Sequence, residues 1–346
     1  MQRSQVRSLV IITVMVAIGL IFFAVSRVPS PAISTSVGAG DSATYLRIVQ
    51  RIRAGASYYA AAHQVLVADG YGTTSVFNWR TPAWAELLAR LPSIRWAQAL
   101  LAGLAMFSVL LIYRMVRHDG GPIIAAATVF ALAINLVDLG APNSIVFTEV
   151  SAGILILFSI SAYGNGLRML GAIAAIAALF VRELAGPYLL ICMWLALREK
   201  QWKELKLLVV GLILYGVYFA WHWVMVTQQL GDADRAYSAG WLRFGGLQFV
   251  LETAHFNGLF SLISLAWTAW LLPIALLGFV AWPNGIRSGL FVVTYLVVFA
   301  VAGKPFNTYW GALFTPVLML GPAWGCFAIY DCLFSKAALT ARAKPS

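Results

Sequence analysis

The chain is 346 residues long, 61% hydrophobic and only 11% charged, which places it with polytopic membrane proteins and excludes a soluble domain. Its formal net charge of +11 falls largely in short segments between apolar runs, where it orients helices, so nucleic acid is not an expected partner. Cys192, Cys326 and Cys332 sit in or beside late apolar runs without metal-site spacing, which removes a disulfide framework and a cysteine metal centre from consideration.

The first apolar run, Leu9 to Val25, is followed by no small-x-small cleavage site before Pro29 and reads as a retained span. Because a helix needs about 20 apolar residues to cross the hydrocarbon, spans are expected near 9–27, 96–113, 122–139, 145–163, 167–182, 184–197, 205–227, 258–282, 286–303 and 308–330. The expected fold is therefore all-α and integral to the membrane. It forms one polytopic domain over 1–346 of about ten transmembrane helices, with an extracytoplasmic loop over 28–95 and a short cytoplasmic tail over 331–346. No internal repeat is visible. The runs 167–182 and 184–197 are short and meet at Arg182-Glu183, just before Gly186-Pro187, so they read either as two stubby crossings or as a re-entrant hairpin. Either arrangement sinks two charges below the membrane surface, where they are costly and usually functional.

An even number of crossings puts both termini on one side. Arg3, Arg7, Arg114, Arg117, Arg168, Arg198, Lys200, Lys203, Lys206, Arg287, Lys336, Arg342 and Lys344 share that side, which the positive-inside rule makes the cytoplasm. The expected location is a bacterial inner (plasma) membrane with both termini cytoplasmic. Asp41, Asp69, Glu86, Asp138, Glu183, Asp232, Asp234 and Glu252 then fall outside, an asymmetry that points to extracytoplasmic polar chemistry.

Within the outer loop, Tyr45, Ile48, Val49 and Ile52 recur at helical spacing, with Arg47, Arg51 and Arg53 between them and Gly55 as a stop. That pattern predicts a helix in the interface plane, its arginines near lipid phosphates. A Tyr- and Ala-rich connection follows, in which His63 and Asp69 read as surface residues. A second interfacial helix starts at Thr81-Pro82, with Pro at the first helical position, an apolar stripe of Trp84, Leu87, Leu88 and Leu91, and a Glu86–Arg90 i,i+4 pair. Asp41 has two readings that can coexist: with Ser42, a cap of the first helix, or a carboxylate held still for chemistry.

Asp41-x-x-x-Tyr45, Gly55-x-x-x-Tyr59 and Trp79-Arg80-Thr81-Pro82 before a short helix together resemble the first outer loop of GT-C-type membrane glycosyltransferases. The resemblance implies a sugar donor linked to a polyprenyl phosphate, an acceptor lipid, glycan or protein, membrane lipids as surroundings, and Asp41 as the catalytic acid–base residue. The chemistry suits these residue types. A sugar hydroxyl needs a carboxylate to take its proton as it attacks the anomeric carbon, with inversion expected of a single displacement. The departing phosphate needs positive charge rather than a proton. Arg80, Arg182 and Lys304 are the candidate cations. Arg80 reads equally as an interfacial snorkeller, Arg182 as a partner of neighbouring charges, and Lys304 as an interfacial anchor.

The remaining expected substrate contacts are Tyr45, Trp79, Glu149, Glu183, His222 and Tyr309. Glu149 is an acid inside a span that reads either as a metal or sugar contact or, equally, as part of a helix-end structural pair, and His222 lies in a Trp221-His222-Trp223 cluster that also reads as aromatic belt. Gly231-Asp232-Ala233-Asp234-Arg235 lacks the length and spacing of an EF-hand and reads as a solvated loop. His63, His118, His222 and His255 are scattered, so no transition-metal cluster is visible; the residues single out no cofactor, and a divalent metal is left open. The rival readings are a transporter or flippase of amphipathic lipid-linked substrates, which lacks the inverted repeat of such folds, and a membrane acyltransferase, for which no His-centred pair stands out.

Overall fold

A chain this apolar must satisfy its backbone groups internally, and in hydrocarbon a helix does so within one segment. A computed structural model describes residues 3–25, 40–141, 144–236, 244–256, 258–303 and 305–334. Among the described residues the structure is all-helical with no strand. Lys304, the segment 28–39 of the outer loop and the tail beyond residue 334 lie outside them.

The helices are α1 (Arg3–Val25), α2 (Gly40–Arg53), α3 (Tyr58–Ala68), α4 (Pro82–Arg90), α5 (Ile94–Leu136), α6 (Thr148–Gly164) and α7 (Arg168–Val181) in the first half. They continue as α8 (Gly186–Arg198), α9 (Trp202–Thr227), α10 (Gly246–His255), α11 (Leu265–Ala281), α12 (Ile286–Val301), α13 (Thr315–Leu318) and α14 (Pro322–Phe334). Among the described residues, four helical stretches are long and apolar enough to cross a membrane: Ser8–Val25, Ile94–Leu136, Trp202–Thr227 and Thr315–Phe334; α6, α7, α11 and α12 are apolar but shorter. The expected set of spans is thus not reproduced one for one. The runs 96–113 and 122–139 are continuous in α5 but for a break at Gly121, whose φ of 85° and ψ of 178° only glycine adopts readily, ahead of Pro122. Two other expected spans are interrupted by 3₁₀ segments, Gly258–Leu262 before α11 and Pro305–Leu313 before α13.

α6 is buried on every side through most of its length, which makes it the central helix rather than a lipid-facing one. The hairpin of α7 and α8 packs beside it. Its open end is tied by Arg168, paired with Glu199 after α8 and with Glu204 on α9, while its tip carries Arg182 to Glu149 at the start of α6. Fourteen residues of α7 separate these ends by about 20 Å. The molecule therefore has two polar poles joined by apolar helices.

The segment before α5 differs from expectation in three ways. Its described residues hold three α-helices, because the Tyr- and Ala-rich connection is itself α3, which starts after Ser57, whose side chain accepts from the Ala60 N–H at 3.4 Å. The arginines of α2 bind protein instead of reaching for lipid phosphates: Arg47 pairs with Asp69, Arg51 donates to Gln64 Oε1 at 2.6 Å, and Arg53 donates to the Leu88 carbonyl at 2.8 Å. Asp69 is not a surface residue, and His63 is only half-exposed. Asp69 is buried and also accepts from Thr44, while His63 stacks on Trp79 and lies 3.0 Å from Asp234. The 231–235 loop is solvated as expected except at Asp234, and that contact, with the Thr73 N–H donating to the Arg235 carbonyl at 2.8 Å, ties it to the outer segment. The expected Glu86–Arg90 pair is present at 3.5 Å, and Pro82 occupies the first turn of α4.

Candidate active site

Chemistry-bearing residues from five segments meet at one pole. α2 supplies Asp41 and Tyr45 one turn apart, the loop before α4 supplies Arg80, α6 supplies Glu149, the α7–α8 tip supplies Arg182 and Glu183, and the 3₁₀ stretch before α13 supplies Tyr309.

Asp41 lies in the first turn of α2, one residue inside its start, rather than at a cap position. Its half-buried carboxylate accepts a hydrogen bond from the Tyr71 hydroxyl. Burial, and after it that hydrogen bond, hold the Tyr71 phenol well above its ordinary range, so Tyr71 stays a donor at neutral pH.

Behind Asp41 is a buried charge cluster. Glu149, with no exposed surface, has Arg182 Nε 2.9 Å from Oε1 and Arg80 Nη2 3.4 Å from Oε2. Arg182 also reaches Glu183 at 2.7 Å. Arg80 is fixed from further directions: Nη1 donates to the Val146 carbonyl at 2.9 Å, and the guanidinium lies 3.6 Å from the Tyr45 ring centre and 5.8 Å from that of Phe147. Burial alone works against the charge of Arg80 and is the largest single effect. Glu149, then Tyr45, Tyr309 and Asp41, outweigh it and hold the guanidinium above its ordinary value. Arg80 is 6% exposed, so it is no snorkeller; of the three candidate cations, Arg80 and Arg182 are buried and share one carboxylate. Two guanidiniums repel unless an anion sits between them, and Glu149 is that anion.

Tyr309 joins the cluster through Phe147, whose ring centre is 5.4 Å from its own, and accepts from Asn307 Nδ2 at 3.3 Å. Trp79 and His222 do not join it. The Trp79 indole donates to the Thr73 carbonyl at 2.8 Å and packs with Tyr58, Tyr59 and Val226, and His222 Nδ1 lies 2.9 Å from the Tyr59 hydroxyl. Lys304 is outside the described residues. A mostly apolar cavity of about 350 Å³ opens beside the cluster, its wall including Ser42, Asn135, Ser144, Phe147, Ile154 and Thr315. Among the described residues no three His, Cys, Asp or Glu side chains gather where they could hold a metal ion.

Tyr71 and Phe147 were not anticipated. Tyr71 meets a carboxylate thirty positions earlier, and Phe147 lies in an apolar run where one ring looks like another; neither carries a local signal. Neither a scan against protein-family models nor searches of curated proteins and of solved structures return a match.

Proposed function

We propose that the chain is a membrane glycosyltransferase that moves a sugar from a polyprenyl-phosphate donor to a lipid, glycan or protein acceptor, with Asp41 as general base and inversion at the anomeric carbon. The observation that carries this reading is the placement of a half-buried aspartate, oriented by Tyr71, at the same pole as two guanidiniums and beside an apolar cavity. In the reaction, Asp41 takes the proton of the acceptor hydroxyl as its oxygen bonds to the anomeric carbon. The bond from that carbon to the phosphate oxygen breaks, and the leaving phosphate keeps the electron pair. Arg80 and Arg182 supply the positive field for it, and Glu149 holds them side by side. The cavity gives an isoprenoid chain an apolar surface to lie against.

The loop arginines support an orientation as well. Arg168 and Arg287 gather at the pole opposite Asp41, which the positive-inside rule makes cytoplasmic, leaving the reaction on the extracytoplasmic face, as in a bacterial inner membrane.

Proteoliposomes of the purified protein, offered polyprenyl-phosphate-linked pentoses and hexoses in turn, test the assignment. Free polyprenyl phosphate together with a glycosylated acceptor is the expected product. Intact donor moved to the opposite leaflet, with no phosphate lipid released, would establish a transporter instead.

A further inference from the structure

The pole opposite Asp41 carries a cavity of its own, of about 140 Å³. It lies where the ends of α6 and α8 meet the starts of α7 and α12, with Tyr163, Arg168, Glu199, Asn284 and Arg287 in its wall. Arg168 is committed to Glu199 and Glu204. Arg287, the second residue of α12, is 9% exposed, and among the described residues no carboxylate lies within ion-pair distance of it. Its guanidinium stacks 3.6 Å from the centre of the Tyr163 ring, and Nη1 donates to the Cys192 thiol at 3.2 Å, a weak acceptor. The buried Tyr163 hydroxyl has no hydrogen-bond partner among the described residues.

A buried guanidinium with no carboxylate in contact, Glu204 acting on it only from further off, next to an unpaired hydroxyl donor, is costly unless an anion completes the set. The volume is several times the ~30 Å³ share of one water molecule and admits a tetrahedral anion. Glu199 in the wall repels a second negative charge, which favours a monoanion over a dianion or a nucleotide. We propose that this cavity binds a singly charged phosphate group, with Arg287 and Tyr163 donating to its oxygens. Two sources carry that chemistry, a phospholipid headgroup and free inorganic phosphate. The apolar side chains of Leu197 and Ile286, each 51% exposed, flank the site in sequence and offer acyl chains a surface.

The test is thermal unfolding of the full-length protein in a non-ionic detergent, titrated with dihexanoylphosphatidylglycerol, with sodium phosphate, and with an uncharged alkyl glucoside as amphiphile control. The wild type should be stabilised by the phosphatidylglycerol and not by the glucoside. The half-saturating concentration should rise at least about tenfold in Arg287→Gln and severalfold in Tyr163→Phe, as expected for lost hydrogen bonds to a charged group. Arg198→Gln, an exposed arginine at the same pole, should respond as the wild type does. Stabilisation by phosphatidylglycerol alone assigns a lipid headgroup, and an Arg287-dependent response to sodium phosphate assigns a free anion; either supports the proposal. It is overturned if neither ligand stabilises the wild type, or if Arg287→Gln responds equally. Should Arg287→Gln not fold, an unchanged response in Tyr163→Phe overturns it.

Discussion

Glu149 has no exposed surface and faces Arg80 and Arg182, each only 6% exposed, so the cluster holds only while the carboxylate is present. Glu149→Gln keeps the shape but strands two buried guanidiniums, and should destabilise the protein by about 3–5 kcal/mol, read as a large fall in the unfolding midpoint in detergent. Asp69 is a smaller case: it accepts from Thr44 and pairs with Arg47, and Asp69→Asn should cost about 1–3 kcal/mol by the same measurement. In the proposed reaction Tyr71 acts through Asp41, as a positioning residue. Tyr71→Phe should lower kcat roughly tenfold while leaving KM in place, whereas a purely structural loss would move neither selectively. At this scale the sequence was legible in part. Residue type and motif position singled out Asp41, Tyr45, Arg80, Glu149, Arg182, Glu183 and Tyr309, which do converge. Asp69 was misread because a lone aspartate in a polar loop looks exposed until its partners on α2, 22 and 25 residues earlier, are known.

Among the elements, α3 shows what periodicity misses. Tyr58, Tyr59, Ala61, Ala62, Val65 and Leu66 are buried against α2 and the end of α9, so its apolar residues are too many and too evenly spread to show a stripe. The α5 break is the reverse case, a single residue deciding a geometry. Gly121→Ala should cost about 1–3 kcal/mol, measured by thermal unfolding, because its backbone lies where a Cβ is not tolerated. The 231–235 loop is held by Asp234. Burial works against that carboxyl's charge and is the largest single effect, but the Thr73 hydroxyl, the Gly231 N–H and His63 outweigh it and hold it below its ordinary value of 3.8. A carboxyl depressed in the folded state contributes its full stability above its unfolded value and loses it as pH falls through the folded one. The tie between this loop and Thr73 should therefore be intact near neutral pH and loosen below about pH 4. Hydrogen exchange at Thr73, corrected for intrinsic pH dependence, should show that loosening, and Asp234→Asn should weaken the tie at neutral pH and flatten the profile.

For the whole molecule, composition and hydropathy were enough to read an all-helical, membrane-type chain. They were not enough to place every span. Apolar length alone does not distinguish a lipid-facing crossing from α6, which is enclosed by other helices, nor register the 3₁₀ interruptions before α11 and α13. In sequence the loop arginines sort to one side of an expected topology, and nothing there shows their partners. What no local pattern revealed is that the charges pair across the fold: Arg80 with Glu149, and Arg168 with Glu204. The proposed transfer takes place where Asp41 meets that buried cluster. The most direct test is the initial rate of polyprenyl phosphate release by the wild type and by Asp41→Asn, with donor binding measured on the same samples. The expected result is binding within about twofold of wild type and a rate at least about a hundredfold lower, the loss typical of a removed general base. Equal release by the two proteins would contradict it.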